Sequence, residues 1–247
     1  MGIEKNIFTL WFQGWHDAPR ITTFCVDSWK KLNPDWKIHC ITMDNLENYI
    51  EFDKTTVQIL FNNQYIINQT KSVFIRLKLL EKFGGVWTDP TVLCLKPMDQ
   101  WLCNELQNGF FAFDFSNPDI HAMSNWFIAA KRNNDIIQKI TELFTARLKA
   151  LQKKIDISNP KEYFIFHQEF DRLLQIDPFT RATWNTLNHD MSKYVNAFNL
   201  NYKCTQPFIK KAIMAETPML KLTHRLFDPF KVKSIQYLLN HIDNITN

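Results

Sequence analysis

The chain has 247 residues, 45% of them hydrophobic and 14% aromatic, enough to bury a large core in one domain and unlike a disordered or collagen-like polypeptide. Its 29 basic and 25 acidic residues leave a net charge of +4, too small and too mixed in sign to mark a nucleic-acid-binding protein. Cys25, Cys40, Cys94, Cys103 and Cys204 are widely spaced and form no CxxC pair, which argues against a disulfide framework or zinc site and for thiols in a reducing cytoplasm.

No apolar run approaches the ~20 residues of a membrane span, and "MGIEKNIFTLWFQGW" lacks the pattern of a signal peptide. Asn6 to Phe12 reads as a buried strand broken by Gln13-Gly14. Pro19 suits the first position of a helix that runs to Leu32 and is stopped by Asn33-Pro34. Trp36 to Ile41 alternates like a strand, and Asp44 is placed to cap a short helix over "NLENYI". This order predicts an α/β domain with parallel strands. Gln69 to Phe83 reads as a helix ended by Gly84-Gly85, followed by a strand into Trp87, a turn at Asp89 and a strand from Val92 to Lys96.

"GFFAFDF" and Ser124 to Lys131 are further strands. From Asn134 the apolar residues Ile136, Ile137, Ile140, Leu143, Phe144, Leu148 and Leu151 recur at helical spacing, and Lys161 to Thr186 continues helical with a break at Pro178. Tyr194 to Phe230 fits no single pattern, and "SIQYLLNHIDNI" is an amphipathic helix. The reading is one domain over 1–247, with an α/β core over 1–132 and a mainly helical addition over 133–247.

With only five glycines, neither a Walker loop nor a GxGxxG fingerprint can be drawn, and HExxH and GxSxG are absent. The chemistry concentrates between Lys71 and Thr91. Arg76 has Ser72, Val73, Leu79 and Leu80 as helical neighbours, so it faces the apolar side and needs a partner. Asp89, just past the helix end, is within reach. Either the two make a structural pair, or Arg76 holds an anionic ligand and orients Asp89. Asp89 follows the strand-like "GVW" and precedes Pro90, which cannot donate to a sheet ladder, so its carboxylate stands at a strand end, where α/β folds bind ligands. Thr91 points to the same side. A hard divalent ion takes such oxygens together with those of a diphosphate.

The ordered blocks "LWFQGWHDAP", "SWKKLNPDW", "SVFIRLKLLEKFGGVWTDPTVLCLKPMDQWL", "SNWFIAAKRNN" and "YFIFHQEFDRLL" resemble the capsular-polysaccharide-synthesis type of sugar transferase, one of the DXD-containing glycosyltransferases of family 32. The likeness covers roughly Ile7 to Leu174, and "MLKLTHRL" extends it weakly. It implies a GT-A fold, a Rossmann-like nucleotide-sugar-binding domain, and metal-assisted transfer of a hexosyl group, with retention, from a nucleotide-diphosphate-sugar to a glycan acceptor in surface or capsular polysaccharide synthesis. A UDP-sugar is the favoured donor and Mn²⁺ or Mg²⁺ the expected ion.

The resemblance also assigns positions. Trp11 would lie on the nucleobase, although an apolar strand offers a core tryptophan equally well. The Gln13-Gly14 turn would pass the nucleotide. Ser72, Arg76 and Gly85 would line the donor, and Asp89 would be the surviving DXD aspartate and metal ligand. Thr91 and His224 would be further metal ligands. Asn125 and Trp126 would line the sugar or acceptor side. His167 would join them, or else be a core histidine on an aromatic-rich helix.

Two positions depart from the pattern. Many relatives carry aspartate where Val73 stands, three residues before the arginine, and Thr91 replaces the second DXD aspartate, close to the Asp-Ala-Thr variant of the capsular subgroup. These departures support an alternative, a nucleotide-sugar-binding protein with weakened turnover. A glycoside hydrolase would need a second carboxylate that no motif marks. Lys210, Lys211, Lys221, Arg225, Lys231 and Lys233 read as a solvated face, or as a contact with diphosphate or a lipid-linked glycan at the inner surface of a membrane.

Overall fold

A computed structural model describes residues 2–63, 66–151, 163–195 and 206–224. The first strand, β1 (Asn6–Leu10), is flanked by β2 (Lys37–Ile41) and β3 (Gly85–Thr88), both parallel to it. β6 (Met123–Ala130) runs antiparallel to β3, and β5 (Phe110–Asp114) antiparallel to β6, giving the order β2-β1-β3-β6-β5. β1, β2 and β3 are parallel as expected, and β6 and β5 make the sheet mixed. The long connection from β3 to β6 contains β5, so its strands return on the same edge as a hairpin, and hairpins pair antiparallel.

Helix α1 (Arg20–Leu32) follows β1 and packs on β4 (Val92–Cys94). Pro19 sits just before it, and its carbonyl accepts the Thr22 amide at 2.8 Å. The expected helix after Asp44 is only a 3₁₀ turn (Leu46–Asn48), and Asp44 does not cap it. The Asn45 carboxamide works there instead, accepting from Thr42 N–H and donating to the Cys40 carbonyl. A helix missed in the sequence, α2 (Lys54–Leu60), is capped by Asp53, whose carboxylate accepts the Thr56 amide at 2.8 Å.

Helix α3 (Asn68–Phe83) lies on the sheet against β1, β3 and β6. Phe74, Ile75, Leu77, Leu79 and Leu80 are buried all round it, each worth about 1.5–3 kcal/mol in transfer from water. Its chain turns into β3 at Gly85, where φ is 104° and a side-chain carbon would meet the Asn6 carbonyl at 2.5 Å. Only glycine lets β3 approach β1 there. Gly85 thus serves the sheet and lies outside the cavity linings described below, away from the donor contact expected for it.

After a short helix, α4 (Leu102–Glu105), come β5 and β6. The second half builds α5 (Asp135–Leu151), α6 (Ile165–Ile176) and α7 (Pro178–Asn185), with α5 packed on α3 and α6 on α5. Pro178 opens α7 rather than breaking one long helix, and Asp177 caps it through the Thr180 amide. The region without a clear pattern holds α8 (Gln206–Met214) and a strand, β7 (Met219–Lys221), antiparallel to β4. The addition is thus not purely helical: it returns to the core and pairs with the segment that follows Asp89. The amphipathic stretch "SIQYLLNHIDNI" lies outside the described residues. Among the described residues, no helix is long and apolar enough to cross a membrane.

Candidate active site

The carboxyl ends of β1 and β3 and the beginning of β6 meet at one edge of the sheet, the position where open α/β sheets bind ligands. Asp89 is the first residue beyond β3. Its N–H donates to the Trp126 carbonyl at 2.8 Å, and its own carbonyl accepts the Val92 amide at 3.1 Å. Pro90 and Thr91 are the corners of that turn, as their sequence suggested. The carboxylate is thereby fixed at its backbone before any side chain touches it.

Three donors then converge on it. Arg76 Nη2 lies 3.3 Å from Oδ1, and Trp87 Nε1 donates to the same oxygen at 3.1 Å. Lys221 Nζ lies 3.1 Å from Oδ2. The Asp89 side chain is 23% exposed and the Arg76 side chain 4%. Burial alone would raise the Asp89 carboxyl, but Lys221 and Arg76, with the Trp87 hydrogen bond, overcome it and hold it below the usual carboxylate range. Arg76 is itself pulled down by burial and pushed back up by Asp89. The guanidinium stacks over the Trp87 ring, 4.8 Å from its centroid, and donates to the Asn125 carbonyl and to Ser72 Oγ. Every face of Arg76 is thus held.

Two adjoining cavities open beside this cluster, of about 280 and 410 Å³. Trp11, Asp89, Asn125, Tyr163, His167 and His224 line both. Gln13, Ser72, Val73 and Arg76 line the first, and Thr91, Trp126 and Lys221 the second. The structure therefore gathers the sequence-predicted positions Trp11, Gln13, Ser72, Arg76, Asp89, Thr91, Asn125, Trp126, His167 and His224 at one place. Gly14 lies next to Gln13 at φ 91°, a conformation suited to glycine, and turns the chain out of β1 without itself lining a cavity. Trp126 is mostly core, stacked on Phe113 with ring centroids 5.2 Å apart. Trp11 meets His224 edge-to-face at 5.6 Å, and its buried Nε1 has no hydrogen-bond partner among the described residues.

His167 is 5% exposed, and its Nδ1 is likewise unpartnered among the described residues. Burial, then His121 and Arg76, push its imidazole down to about 3, so it is neutral at physiological pH. The two expectations for His167 converge: it is buried like a core histidine and also faces both cavities.

The sequence reading placed Lys221 on a solvated face, and this is corrected. Its side chain is 12% exposed, and Nζ donates to Thr91 Oγ1 at 2.7 Å as well as to Asp89. Lys210 and Lys211 are exposed as expected, whereas Arg225, Lys231 and Lys233 lie outside the described residues. Tyr163 and Gln69 were also missed; polar residues at a helix start carry no local mark of a cavity. Among the described residues, no group of three or more His, Cys, Asp or Glu side chains could hold a metal ion. Asp89 and Thr91 share an ammonium instead, so the residues present do not make a ready divalent-ion site.

The chain belongs to the capsular polysaccharide synthesis protein family, whose model matches residues 1–242. It is 26% identical over 157 residues, 57% of its length, to the O-glycosyltransferase braB of Annulohypoxylon truncatum. It is 23% identical over 239 residues to an uncharacterized glycosyltransferase of Acanthamoeba polyphaga mimivirus, covering 92% of this chain and 88% of that one. The chain spans 37–39% of the length of braB and of two other fungal glycosyltransferases it matches. Among solved structures, the PaToxG glycosyltransferase aligns with 98% of this chain and 87% of its own at 18% identity and a TM-score of 0.48, too distant to bear on chemistry.

Proposed function

We propose that this chain is a glycosyltransferase of GT-A type, moving a hexosyl group from a nucleoside-diphosphate sugar, a UDP-sugar first among candidates, to a hydroxyl of a growing surface glycan. The observation that carries the reading is the convergence of Arg76 and Lys221 on Asp89 at the carboxyl edge of the sheet, beside the cavity-lining Trp11. One carboxylate between two cations leaves a net positive site, as a diphosphate requires. Family membership and similarity to named glycosyltransferases support the same reading.

In this account the base lies against Trp11, the nucleotide passes the Gln13-Gly14 turn, and the diphosphate lies toward Arg76 and Lys221. The sugar sits by Asn125, Trp126 and His167. As the bond from C1 to the phosphate oxygen breaks, negative charge builds on the diphosphate, and fixed cations that need not reorganise favour it. The acceptor oxygen bonds to C1, and its proton passes to the departing phosphate oxygen. Retention fits this site better than inversion. Among the described residues Asp89 is the single carboxylate lining either cavity, and it is occupied by three donors; of the two histidines that line them, His167, held down to about 3, is a weak base, which leaves only His224 as a base candidate. The same single carboxylate disfavours a glycoside hydrolase, which uses two.

The Mn²⁺ or Mg²⁺ expected from the sequence would meet a carboxylate already matched to Arg76, Trp87 and Lys221. The neutralisation proposed here therefore rests on side chains. The acceptor reading, a growing surface glycan, is supported by the family description alone.

The test is release of nucleoside diphosphate from a panel of nucleotide-sugars, with and without glycan acceptors. Wild type turns over at least one donor, and Asp89→Ala loses about a hundredfold or more. Binding without turnover in wild type selects the alternative, a nucleotide-sugar-binding protein. Val73 favours that alternative, since an apolar side chain lines the first cavity where many relatives would present a carboxylate to the sugar.

A further inference from the structure

We infer that Lys221 is the resident cation of the Asp89–Thr91 pair and that its ammonium, in place of a bound divalent ion, meets the diphosphate of the donor. The inference rests on the donor reading above and specifies how that site handles charge.

The geometry of one ammonium carries it. Lys221 Nζ stands 3.1 Å from Asp89 Oδ2 and 2.7 Å from Thr91 Oγ1, the two oxygens that a divalent ion at this turn would take. The lysine is placed there by backbone. β7 pairs with β4 so that Lys221 is opposite Val92, the Leu222 amide donates to the Thr91 carbonyl at 2.8 Å, and the Lys221 amide donates to the Val195 carbonyl at 2.9 Å. The strand fixes the backbone of Lys221, and its side chain lines the larger cavity. An ammonium has three N–H donors, and two are used among the described residues. The third is available to an anion in the larger cavity, which Lys221 lines and Arg76 does not.

Charge arithmetic points the same way. Asp89 carries one negative charge and faces two positive ones, Arg76 and Lys221. A divalent cation would have to displace the lysine from both oxygens and then sit close to two cations, with one carboxylate to offset them. A diphosphate faces the opposite balance and gains from the field of both cations, with Lys221 the one that keeps a donor for direct contact. Thr91 belongs to the same arrangement. A hydroxyl accepts from the ammonium without adding charge, so Lys221 is not neutralised twice and stays cationic toward a ligand.

The test is calorimetric titration of the full chain with UDP, GDP, CDP and ADP, in EDTA and again in Mn²⁺. At least one diphosphate binds in EDTA, and Mn²⁺ changes its Kd by less than about threefold. Lys221→Met weakens binding in EDTA by about tenfold or more, and Lys221→Arg keeps most of it. Cooperative thermal unfolding of both variants shows that they are folded. Should Lys221→Met not fold, Mn²⁺ titration of nucleotide-free wild type, read by electron paramagnetic resonance, leaves the free-ion signal undiminished. Binding of the diphosphate only with Mn²⁺, unchanged binding by Lys221→Met in EDTA, or stoichiometric capture of Mn²⁺ by nucleotide-free wild type each overturns the inference while leaving the donor reading in place. Binding of none of the four diphosphates in either buffer removes the donor reading, and the inference with it.

Discussion

Arg76 and Asp89 form an ion pair across 3.3 Å between a helix that lies on the sheet and the turn that follows the central strand β3. Arg76 is 4% exposed, so removal of the carboxylate leaves its charge poorly compensated. Asp89→Ala therefore leaves two cations facing each other. We expect it to lower the unfolding free energy by about 3 kcal/mol, measured by urea denaturation. Activity comparisons with this variant belong well below its melting temperature.

Trp11 tests the nucleobase contact separately from the fold. Its ring lines both cavities and its Nε1 has no partner among the described residues, so little of the fold depends on it. Trp11→Ala is expected to raise the donor KM about tenfold or more with a smaller change in kcat, and Trp11→Phe to recover most of the loss. Steady-state kinetics with varied donor reads both.

Gly85 tests the sheet. Any side chain there must adopt φ 104° and push into the Asn6 carbonyl. Gly85→Ala is expected to cost about 2 kcal/mol or more, seen as a lowered melting temperature.

His167 gives the pH dependence. Its folded value, about 3, lies below the ordinary 6.5, so the native state favours the neutral ring. That contribution is fully present above pH 6.5 and is lost as pH falls from 6.5 toward 3, by up to about 1.4 kcal/mol per pH unit. His39 is lowered in the same direction by burial and by Lys37 and acts in the same window, so the comparison must be between variants. Between pH 6.5 and 4.5 the stability of wild type should fall more steeply than that of His167→Gln; parallel curves contradict this.

Local features were legible in the sequence and non-local ones were not. The spacing of apolar residues around Arg76 located α3 to within one residue, and the lack of charged helical neighbours foretold the burial of Arg76 and its pairing with Asp89. Those signals lie within a few residues of one another. The direction of β6 and β5 depends on pairing across the sheet, and nothing inside "SNWFIAAK" reports it. Lys221 shows the same limit. In "MLKL" it is a lone cation in an apolar run, which signals burial and the need for a partner, but that partner is 132 residues away. Grouped with Lys210 and Lys211 by sequence, it reads as surface; β7 carries it to the site. Asp53, three residues before Thr56, was a capping signal available locally and missed.

The central claim is that the Arg76–Asp89–Lys221 edge of the sheet binds a nucleoside-diphosphate sugar. Thermal unfolding of wild type with a panel of nucleotide-sugars and free nucleoside diphosphates, with and without Mn²⁺, tests it most directly, because a ligand that binds only the native state raises the midpoint according to its occupancy. The account predicts a concentration-dependent rise with nucleotides of one base, smaller in Trp11→Ala. An unchanged midpoint across the whole panel at millimolar ligand would contradict it.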